Sequence, residues 1–192
     1  MADDPALVLN ASPQRQGTCG SLARLVASRL RFDSACVQEL AGDGQQQAEG
    51  LFLQLADFQI AGCRGCNACA STPNHVCVIS DDMDELMGLL AEASSLTVVC
   101  PVYFAGPPSQ AKAFLDRLQP HFWKETRKAP KRPATLYVVG QGGDPHGFEP
   151  LVTIFRSALA VAGFSLTAVH SCIGVSPADL SAYLDEEEIE HA

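Results

Sequence analysis

Half of the eight cysteines of this chain lie in one short segment, CRGCNACASTPNHVC, at residues 63–77. They are Cys63, Cys66, Cys69 and Cys77, with the spacing C-x2-C-x2-C-x7-C. Three thiolates two residues apart can surround one face of a cubane, and a more distant fourth thiolate can complete it. We therefore predict these four cysteines as metal ligands, and the spacing favours a 4Fe–4S cluster.

Other interpretations of this cysteine loop stay open. Zinc also takes four thiolates, although zinc sites are usually built from two separated C-x-x-C pairs. A third interpretation is a loop without metal, whose cysteines are free or oxidised. His75 lies within the loop, and we expect it to be solvated rather than to act as a ligand.

The remaining cysteines do not share this spacing. Cys36, Cys100 and Cys172 fall in apolar runs, where a thiol acts as a small core side chain. Cys19 stands in a turn that precedes a predicted helix. We expect it to be a small residue in that turn, although a helix N-terminus can favour a thiolate.

The composition is typical of one acidic, soluble domain. The chain has 192 residues, of which 47% are hydrophobic, and a formal net charge of −9. This length suits a single domain over residues 1–192, and the charge argues against a nucleic-acid partner. No apolar run is long enough to cross a bilayer, and the acidic N-terminus lacks the basic region of a secretory signal. We expect a cytoplasmic protein with reduced thiols, which ends in an acidic tail at about residues 184–192.

Short apolar, β-branched runs alternate with helical patterns along the chain. The predicted strands are residues 6–10, 50–55, 95–100, 135–140 and 165–172. Apolar residues at helical spacing predict helices at residues 22–30, 82–93, 109–118 and 150–163. Strands that alternate with helices and are apolar on both faces predict a parallel, doubly wound sheet. Residues 31–49 are weakly patterned, and we interpret them as an inserted surface helix and loop.

Suitable residues stand at the ends of two predicted helices. Asp82 and Glu85 can cap the start of the helix at 82–93. Pro150 suits the first turn of the last predicted helix, and Gly163 suits its end.

Ligands of such a sheet bind beyond the carboxyl ends of the strands, where three segments are suited to binding. NASPQRQGTCGSL leads into a helix N-terminus, a geometry that binds phosphate, and Ser12, Thr18 and Arg15 can contribute hydroxyls and charge. CPVYFAGPPSQAKAFLDR, at 100–117, offers flat apolar side chains. GQGGDPHG, at 140–147, lets the backbone approach a flat ligand. Each segment alone also fits an ordinary surface loop.

Together these segments resemble the flavodoxin-like NAD(P)H-dependent FMN reductases, and most closely their iron–sulfur flavoprotein branch. ASPQRQGTCGSL is similar to the family's phosphate loop, G-S-P-R-x-x-G-N-T, and PVYFAGPPSQAKAFLDR to its P-V-Y…K-x-F-x-D-R block. CRGCNACASTPNHVCVISDDMDEL resembles its cysteine loop. The chain departs from the phosphate loop by Ala11 in place of Gly, Gln14 in place of Arg, and Thr18-Cys19 in place of Asn-Thr. Backbone amides can still bind phosphate there, so the departures affect individual contacts.

The resemblance implies an α/β fold, a flavodoxin-like three-layer sandwich whose five-stranded parallel sheet has the order 2-1-3-4-5. It also implies FMN, with a phosphate held by Ser12, Gln14, Arg15, Gly17, Thr18 and Cys19. The flavin ring would be bound by Pro101, Val102, Tyr103, Phe104, Ala105, Gly106, Gln141, Gly142, Gly143 and Asp144. Because a flavin itself carries the hydride chemistry, no catalytic side chain is predicted.

The function implied by the resemblance is NAD(P)H-dependent reduction of flavin, a quinone or a similar acceptor, with a possible 4Fe–4S cluster. One alternative is an electron carrier that exchanges electrons with protein donors and acceptors and has no nicotinamide site. A weaker alternative is a flavin or metal redox sensor without turnover. The apolar loop at 101–108 and the resemblance lead us to expect a homodimer or homotetramer, without nucleic-acid or membrane partners.

Two basic features are left without a role in this assignment. KETRKAPKR, at 124–132, holds five of the thirteen basic residues, and we interpret it as a solvated loop. It could instead bind the extra phosphate of NADPH or an acidic electron carrier. His146 lies in the glycine-rich segment, where we expect it to be exposed.

Overall fold

The structure, a computed structural model, describes residues 5–30, 50–124 and 128–190, with side chains up to residue 186. The surface helix and loop predicted at 31–49, and Cys36 with it, lie outside the described residues.

One five-stranded sheet forms the centre of the fold. Its strands are β1 (Ala6–Asn10), β2 (Gly50–Gln54), β3 (Ser95–Pro101), β4 (Arg132–Gly140) and β5 (Phe164–Ile173). All neighbouring strands are parallel, in the order β2-β1-β3-β4-β5, which confirms the predicted topology. β4 begins earlier than predicted, because Arg132 already pairs with Phe164 of β5.

The described helices lie between these strands, except for the last, which follows β5. They are α1 (Thr18–Arg29), α2 (Ala68–Ser71), α3 (Met83–Glu92), α4 (Ser109–Asp116), α5 (Pro120–Trp123), α6 (Glu149–Val161) and α7 (Leu180–Glu190). Short 3₁₀ turns follow β2 at Leu55–Asp57 and α2 at Pro73–His75. Within the described parts of the chain, none of the helices is both long and apolar enough to cross a membrane.

Helices cover both faces of the sheet. Val8 of β1 and Val99 of β3 belong to a buried cluster with residues of α1 and α7. Their neighbours in sequence, Leu9 and Cys100, belong to a second cluster with residues of α3, α4 and α6. Because alternate residues of β1 and β3 are buried on opposite faces, these central strands are largely apolar, whereas alternate residues of the edge strand β5 are exposed. Cys100 and Cys172 are fully buried, as predicted.

The predicted ends of α6 are confirmed. Pro150 stands in the first turn. A backbone N–H at that position has no acceptor within the helix, so proline, which lacks the N–H, breaks no hydrogen bond there. Gly163 follows the end of the helix with a φ of 91°, a conformation in which a residue with a Cβ is strained.

The predicted cap of α3 is wrong. Asp82 occupies the N-cap position, but its side chain does not cap the helix. Its Oδ2 instead accepts the backbone N–H of Gln59 at 2.7 Å. The neighbouring Asp81 accepts the N–H of Met83 through Oδ1 at 3.1 Å, so Asp81 satisfies the first turn.

The segment from residue 184, which we expected to be a tail, is part of α7. Leu180 and Leu184 lie four residues apart and are both buried in the cluster with α1. Arg29, at the end of α1, donates to Asp185 at 2.5 Å and to the carbonyl of Ser181 at 3.1 Å. Apolar packing and this ion pair therefore place the acidic segment against the domain.

Two cations of the basic segment at 124–132 are tied to helix ends. Arg132 Nη1 donates to the carbonyl oxygens of Leu90 and Ala93 at 2.8 and 2.6 Å, and its guanidinium lies 4.1 Å above the Phe164 ring. Lys131 Nζ donates to the carbonyl of Ala160 at 2.6 Å. A cation at a helix C-terminus offsets the negative end of the helix dipole, so these two residues are structural.

Candidate functional site

The loop after β1 is held by two buried amide side chains at the strand ends. Asn10 Nδ2 donates to Gln54 Oε1 at 2.7 Å, and Asn10 Oδ1 accepts the N–H of Ser12 at 3.1 Å. Gln54 Nε2 donates to the carbonyl of Ser12 at 3.1 Å. Both amides are nearly inaccessible to water, so they fix the path of the loop. Sequence reasoning missed them, and the signal was a polar residue at the end of each apolar strand.

Tight backbone contacts bring this loop onto the N-terminus of α1. Ser12 Oγ accepts the N–H of Gln14 at 3.1 Å, and Gly17 precedes the helix with a φ of 111°. A Cβ on Gly20 would lie 2.3 Å from the carbonyl oxygen of Arg15, so the first turn of α1 needs glycine there. The backbone N–H groups of that turn have no helical acceptor and can bind an anion.

A cavity of about 210 Å³ lies where this loop faces the ends of β3 and β4. It brings together five of the six residues predicted to bind phosphate, namely Ser12, Gln14, Gly17, Thr18 and Cys19. Its other walls include Pro101, Val102, Tyr103 and Gln141. The cavity is therefore suited to a small anion at a helix N-terminus.

Arg15, the sixth predicted phosphate residue, does not line this cavity. Its guanidinium forms an ion pair with Asp57, which follows β2 in the neighbouring position of the sheet. Its side chain is 65% exposed. To reach an anion in the cavity, Arg15 would have to leave Asp57.

A larger cavity of about 520 Å³ adjoins the first. Both are lined by Val102, Gly140 and Gln141, so they are parts of one cleft along the carboxyl edge of the sheet. The larger part is also lined by Phe104, Gly142, Gly143, Asp144, Gly147, Phe148, Ser171 and Ile173. Sequence reasoning missed Phe148, Ser171 and Ile173, because no motif marks them, although Ser171 and Ile173 lie at the carboxyl end of β5.

The loop after β3 is a tight turn that presents an aromatic ring to the cleft. Tyr103 and Gly106 exchange backbone hydrogen bonds of 2.8 and 3.0 Å. Between them, Phe104 and Ala105 have positive φ angles of 51° and 61°. Phe104 is fully exposed. Ala105 and Gly106 line neither cavity; the carbonyl of Ala105 instead accepts the N–H of Leu151 at 3.0 Å and joins the turn to α6.

Glycines keep the opposite wall of the larger cavity thin. A Cβ on Gly140 would lie 3.0 Å from the Cδ1 of Ile173. Gly142 and Gly143 have φ angles of 85° and 87°, where a larger residue is strained. A flat ligand can therefore approach the backbone closely between this wall and Phe104.

The cysteine loop surrounds a small cavity of its own. Cys63, Cys66, Cys69 and Cys77 all line this space of about 80 Å³, together with Arg117. Cys63 and Cys66 are exposed, and the N–H of Gly65 donates to Cys63 Sγ at 3.5 Å. Within the described residues, however, no three His, Cys, Asp or Glu side chains are arranged to hold one metal ion as they stand. The fold thus gathers the predicted ligands around one space without presenting a finished ligand set.

His75 is only partly solvated, contrary to expectation. It is half-buried in the loop, and its Nδ1 lies 3.0 Å from the carbonyl oxygen of Cys69. His146, in contrast, is exposed as expected, and its N–H donates to Asp144 Oδ1 at 2.8 Å.

A buried ion pair closes the base of the cysteine loop. Arg117 donates to both carboxylate oxygens of Asp81, at 2.7 and 2.9 Å, and its side chain is 1% exposed. Burial raises the pKa of Asp81, but hydrogen bonds from Arg117 and from backbone N–H groups outweigh burial and lower it. Burial likewise lowers the pKa of Arg117, but Asp81, with a contribution from the Cys77 thiol, raises it above its ordinary value.

Two thiols outside the cysteine loop, those of Cys19 and Cys100, are held in the protonated form. Burial raises the pKa of Cys19 to about 12, although Ser12 lowers it through a hydrogen bond. The helix N-terminus therefore does not make Cys19 a thiolate, because desolvation is the larger effect. Burial also raises the pKa of Cys100 well above its ordinary value.

Comparison with known proteins identifies one family to which this chain is similar. A sequence model of the NADPH-dependent FMN reductases matches residues 6–166. An iron–sulfur flavoprotein of Methanocaldococcus jannaschii is 30% identical over 112 residues, which are 58% of this chain and 50% of that protein. An iron–sulfur flavoprotein of Archaeoglobus fulgidus is 30% identical over 126 residues, 66% of this chain and 54% of that protein. The chain thus spans about half the length of these curated relatives.

Solved structures show the same fold at low sequence identity. A flavone reductase superimposes with a TM-score of 0.62 at 13% identity, over 97% of this chain and 58% of its own.

We predict that the thiols differ sharply in reactivity towards iodoacetamide. In metal-free protein near pH 8, Cys63 and Cys66 should be alkylated at least about tenfold faster than Cys19, because Cys19 is buried and stays protonated. Peptide mass spectrometry over time measures the three rates, and the denatured protein, in which all thiols are accessible, is the control. Alkylation of Cys19 as fast as Cys66 would show that its thiol is neither shielded nor protonated.

Proposed function

Because this chain belongs to the family of NADPH-dependent FMN reductases, we propose that it is an FMN-binding oxidoreductase that takes hydride from a nicotinamide and passes electrons to flavin, a quinone or a similar acceptor. The observation that carries the proposal is the continuous cleft, with an anion pocket at one end and an apolar, glycine-walled space at the other.

The cleft fits the two ends of FMN. The smaller cavity supplies the N-terminus of α1 and the hydroxyl groups of Ser12 and Thr18, which suit a phosphate. The larger cavity is lined by the ring of Phe104 and by the backbone of Gly142 and Gly143, which suits a flat ring. Its volume of about 520 Å³ lies in the range of small-molecule sites.

The chain's own part in the reaction is to bind and orient. When bound, FMN supplies the acceptance of hydride and the release of electrons singly or in pairs. Among the described side chains that line the larger cavity, only Asp144 ionises, and its Oδ1 already accepts the N–H of His146. We therefore assign no catalytic residue. Val102, Phe104 and Phe148 give an apolar lining to the space where the ring would lie.

Phe104 also supports association of this chain with a second copy. A fully exposed aromatic ring at the mouth of the cleft is costly to leave in water and could be covered by a neighbour. The homodimer or homotetramer expected from the sequence stays a prediction, which light scattering of the FMN-loaded protein would decide.

The cysteine loop supports an additional redox centre. Four thiols around one space match the donor set of a 4Fe–4S cluster, and Cys63, Cys66, Cys69 and Cys77 would hold it. Such a cluster would accept and store one electron at a time. Two relatives of this chain are iron–sulfur flavoproteins by name, which supports the same assignment.

The second candidate function is an electron carrier between protein partners, without a nicotinamide site. The cysteine loop favours it, because Cys63 and Cys66 are exposed at the surface where a partner can approach. Anaerobic oxidation of NADPH or NADH by FMN-loaded protein separates the two candidates. A redox sensor would show neither nicotinamide oxidation nor electron transfer.

We predict that loss of the Ser12 hydroxyl weakens FMN binding more than loss of the Arg15 guanidinium. Ser12→Ala should cost about 1–2 kcal/mol, because Ser12 orders the loop and lines the phosphate cavity. Arg15→Ala should cost less than about 1 kcal/mol, because this exposed side chain is paired with Asp57. Fluorescence titration with FMN gives both values, and Arg156→Ala, on the exposed face of α6, is the control.

A larger loss for Arg15→Ala than for Ser12→Ala would mean that Arg15 leaves Asp57 and binds the phosphate. Unchanged dissociation constants in both variants would show that the FMN phosphate does not bind at this loop.

We predict that Cys66→Ser, studied anaerobically, loses iron and most of its electron transfer from NADPH to a one-electron acceptor. The affinity for FMN and the melting temperature should change little, because Cys66 is exposed and lines neither cavity of the cleft. Iron analysis and stopped-flow reduction of the acceptor give the two values. Ser71→Ala, in the same loop, is the matched control.

Other outcomes of this experiment identify the other interpretations. If the parent protein also lacks iron and the variant transfers electrons at the parent's rate, the loop is not a redox centre. If the variant loses zinc and unfolds, the site is structural, since the binding energy of a zinc site is largely folding energy.

A further inference from the structure

Arg117 joins the two stems of the cysteine loop. Its Nη1 donates to the carbonyl of Ala61 at 2.9 Å, two residues before Cys63, and its Nη2 donates to the carbonyl of Ile79 at 3.0 Å, two residues after Cys77. One guanidinium thus holds the chain where it enters and where it leaves the loop.

Asp81 completes this closure. Its Oδ2 accepts the N–H of Ala61 at 2.9 Å in addition to Nη1 of Arg117 at 2.7 Å. Ala61 is therefore held twice, through its N–H by Asp81 and through its carbonyl by Arg117. The contacts form a closed ring of hydrogen bonds that needs no metal.

The remaining hydrogen-bond donor of the Arg117 guanidinium is its Nε–H. Nε is buried and has no acceptor among the residues that the structure describes. The side chain lines the same small space as the four cysteines. An unpaired, buried N–H is costly unless something accepts it, and a thiolate or sulfide in that space would be an acceptor.

We propose that Arg117 is a positioning residue for the cysteine loop: it joins the stems before any metal binds, and it offers its Nε–H to the sulfur atoms of the bound cluster. The second part rests on the cluster of the proposed function. Hydrogen bonds and charge near the sulfur atoms of a cluster set its reduction potential, because they stabilise the more negative, reduced state.

Substitutions of Arg117 and of Asp81 should have opposite electrostatic effects on the cluster. Arg117→Gln removes the cation and leaves the Asp81 carboxylate, so it should disfavour the reduced cluster. Asp81→Asn leaves the cation of Arg117 uncompensated, so it should favour the reduced cluster. Both variants weaken the same structure, and a purely structural role would move their potentials in the same direction.

The experiment uses the full chain, in metal-free form and after anaerobic reconstitution with iron and sulfide. Hydrogen exchange of the metal-free protein reports the stems, and a redox titration followed by absorbance reports the midpoint potential. Arg64→Gln is the control, because Arg64 lines the same space but is exposed to solvent, which screens its charge.

In metal-free Arg117→Gln, we expect at least about tenfold faster exchange in residues 59–83 than in the parent, with little change in the sheet. After reconstitution, its midpoint potential should fall and that of Asp81→Asn should rise. Each shift should reach about a tenfold change in the redox equilibrium, equivalent to about 59 mV for one electron. Arg64→Gln should change neither the exchange rates nor the midpoint potential appreciably.

Arg117→Lys separates the two parts of the proposal and replaces Arg117→Gln if that variant does not fold. An ammonium keeps the charge but cannot form the planar fork, so exchange should accelerate while the potential stays nearer to the parent's. Potentials that move in the same direction in Arg117→Gln and Asp81→Asn overturn the tuning role. Unchanged exchange in both Arg117 variants overturns the positioning role. A parent that takes up no iron rejects the cluster, and with it the tuning role, whereas the exchange experiment still decides the positioning role.

Discussion

The cleft depends on one constraint: a parallel sheet with helices on both faces leaves only its edges open to ligands. Alternate residues of β1 and β3 are buried on opposite faces, so these central strands present no open surface to a ligand. The loops after β1, β3 and β4 all leave the carboxyl edge, and they form the two adjoining cavities there. The phosphate loop and the glycine-rich wall are therefore neighbours although about 120 residues separate them in the sequence.

The cleft offers shape and backbone groups more than ionised side chains. Buried amides of Asn10 and Gln54 fix the first loop, and glycines thin the opposite wall. An arrangement of this kind binds and orients a cofactor that brings its own chemistry. Of the residues that depart from the family's motif, Gln14, Thr18 and Cys19 still line the smaller cavity, where the N-terminus of α1 presents backbone N–H groups.

The cysteine loop is stabilised differently. Few of its residues are buried, and Cys63 and Cys66 face solvent, so apolar packing contributes little to its shape. The buried pair of Asp81 and Arg117 fixes its two stems instead. Removing one partner of a buried ion pair typically costs about 3–5 kcal/mol, because the other charge remains in an apolar environment. The buried guanidinium of Arg117, paired with the partly buried carboxylate of Asp81, is thus a strong local constraint on a loop that has little else to hold it.

The sequence by itself determined the order of the strands and of α1, α3, α4 and α6, the ends of α6, the burial of Cys100 and Cys172 and most residues of the cleft. These features follow from local periodicity, from turn residues and from motifs that stand within a few positions of one another. The tertiary structure decided the partners of three arginines: Arg15 pairs with Asp57, Arg117 with Asp81, and Arg132 with the end of α3. Each partner lies between about 36 and 42 residues away. A long, flexible cation can reach many acceptors, and only the packing of β2, α3 and α4 around the sheet selects one of them. The same packing makes the acidic segment from residue 184 helical, because Leu180 and Leu184 pack against apolar residues of α1.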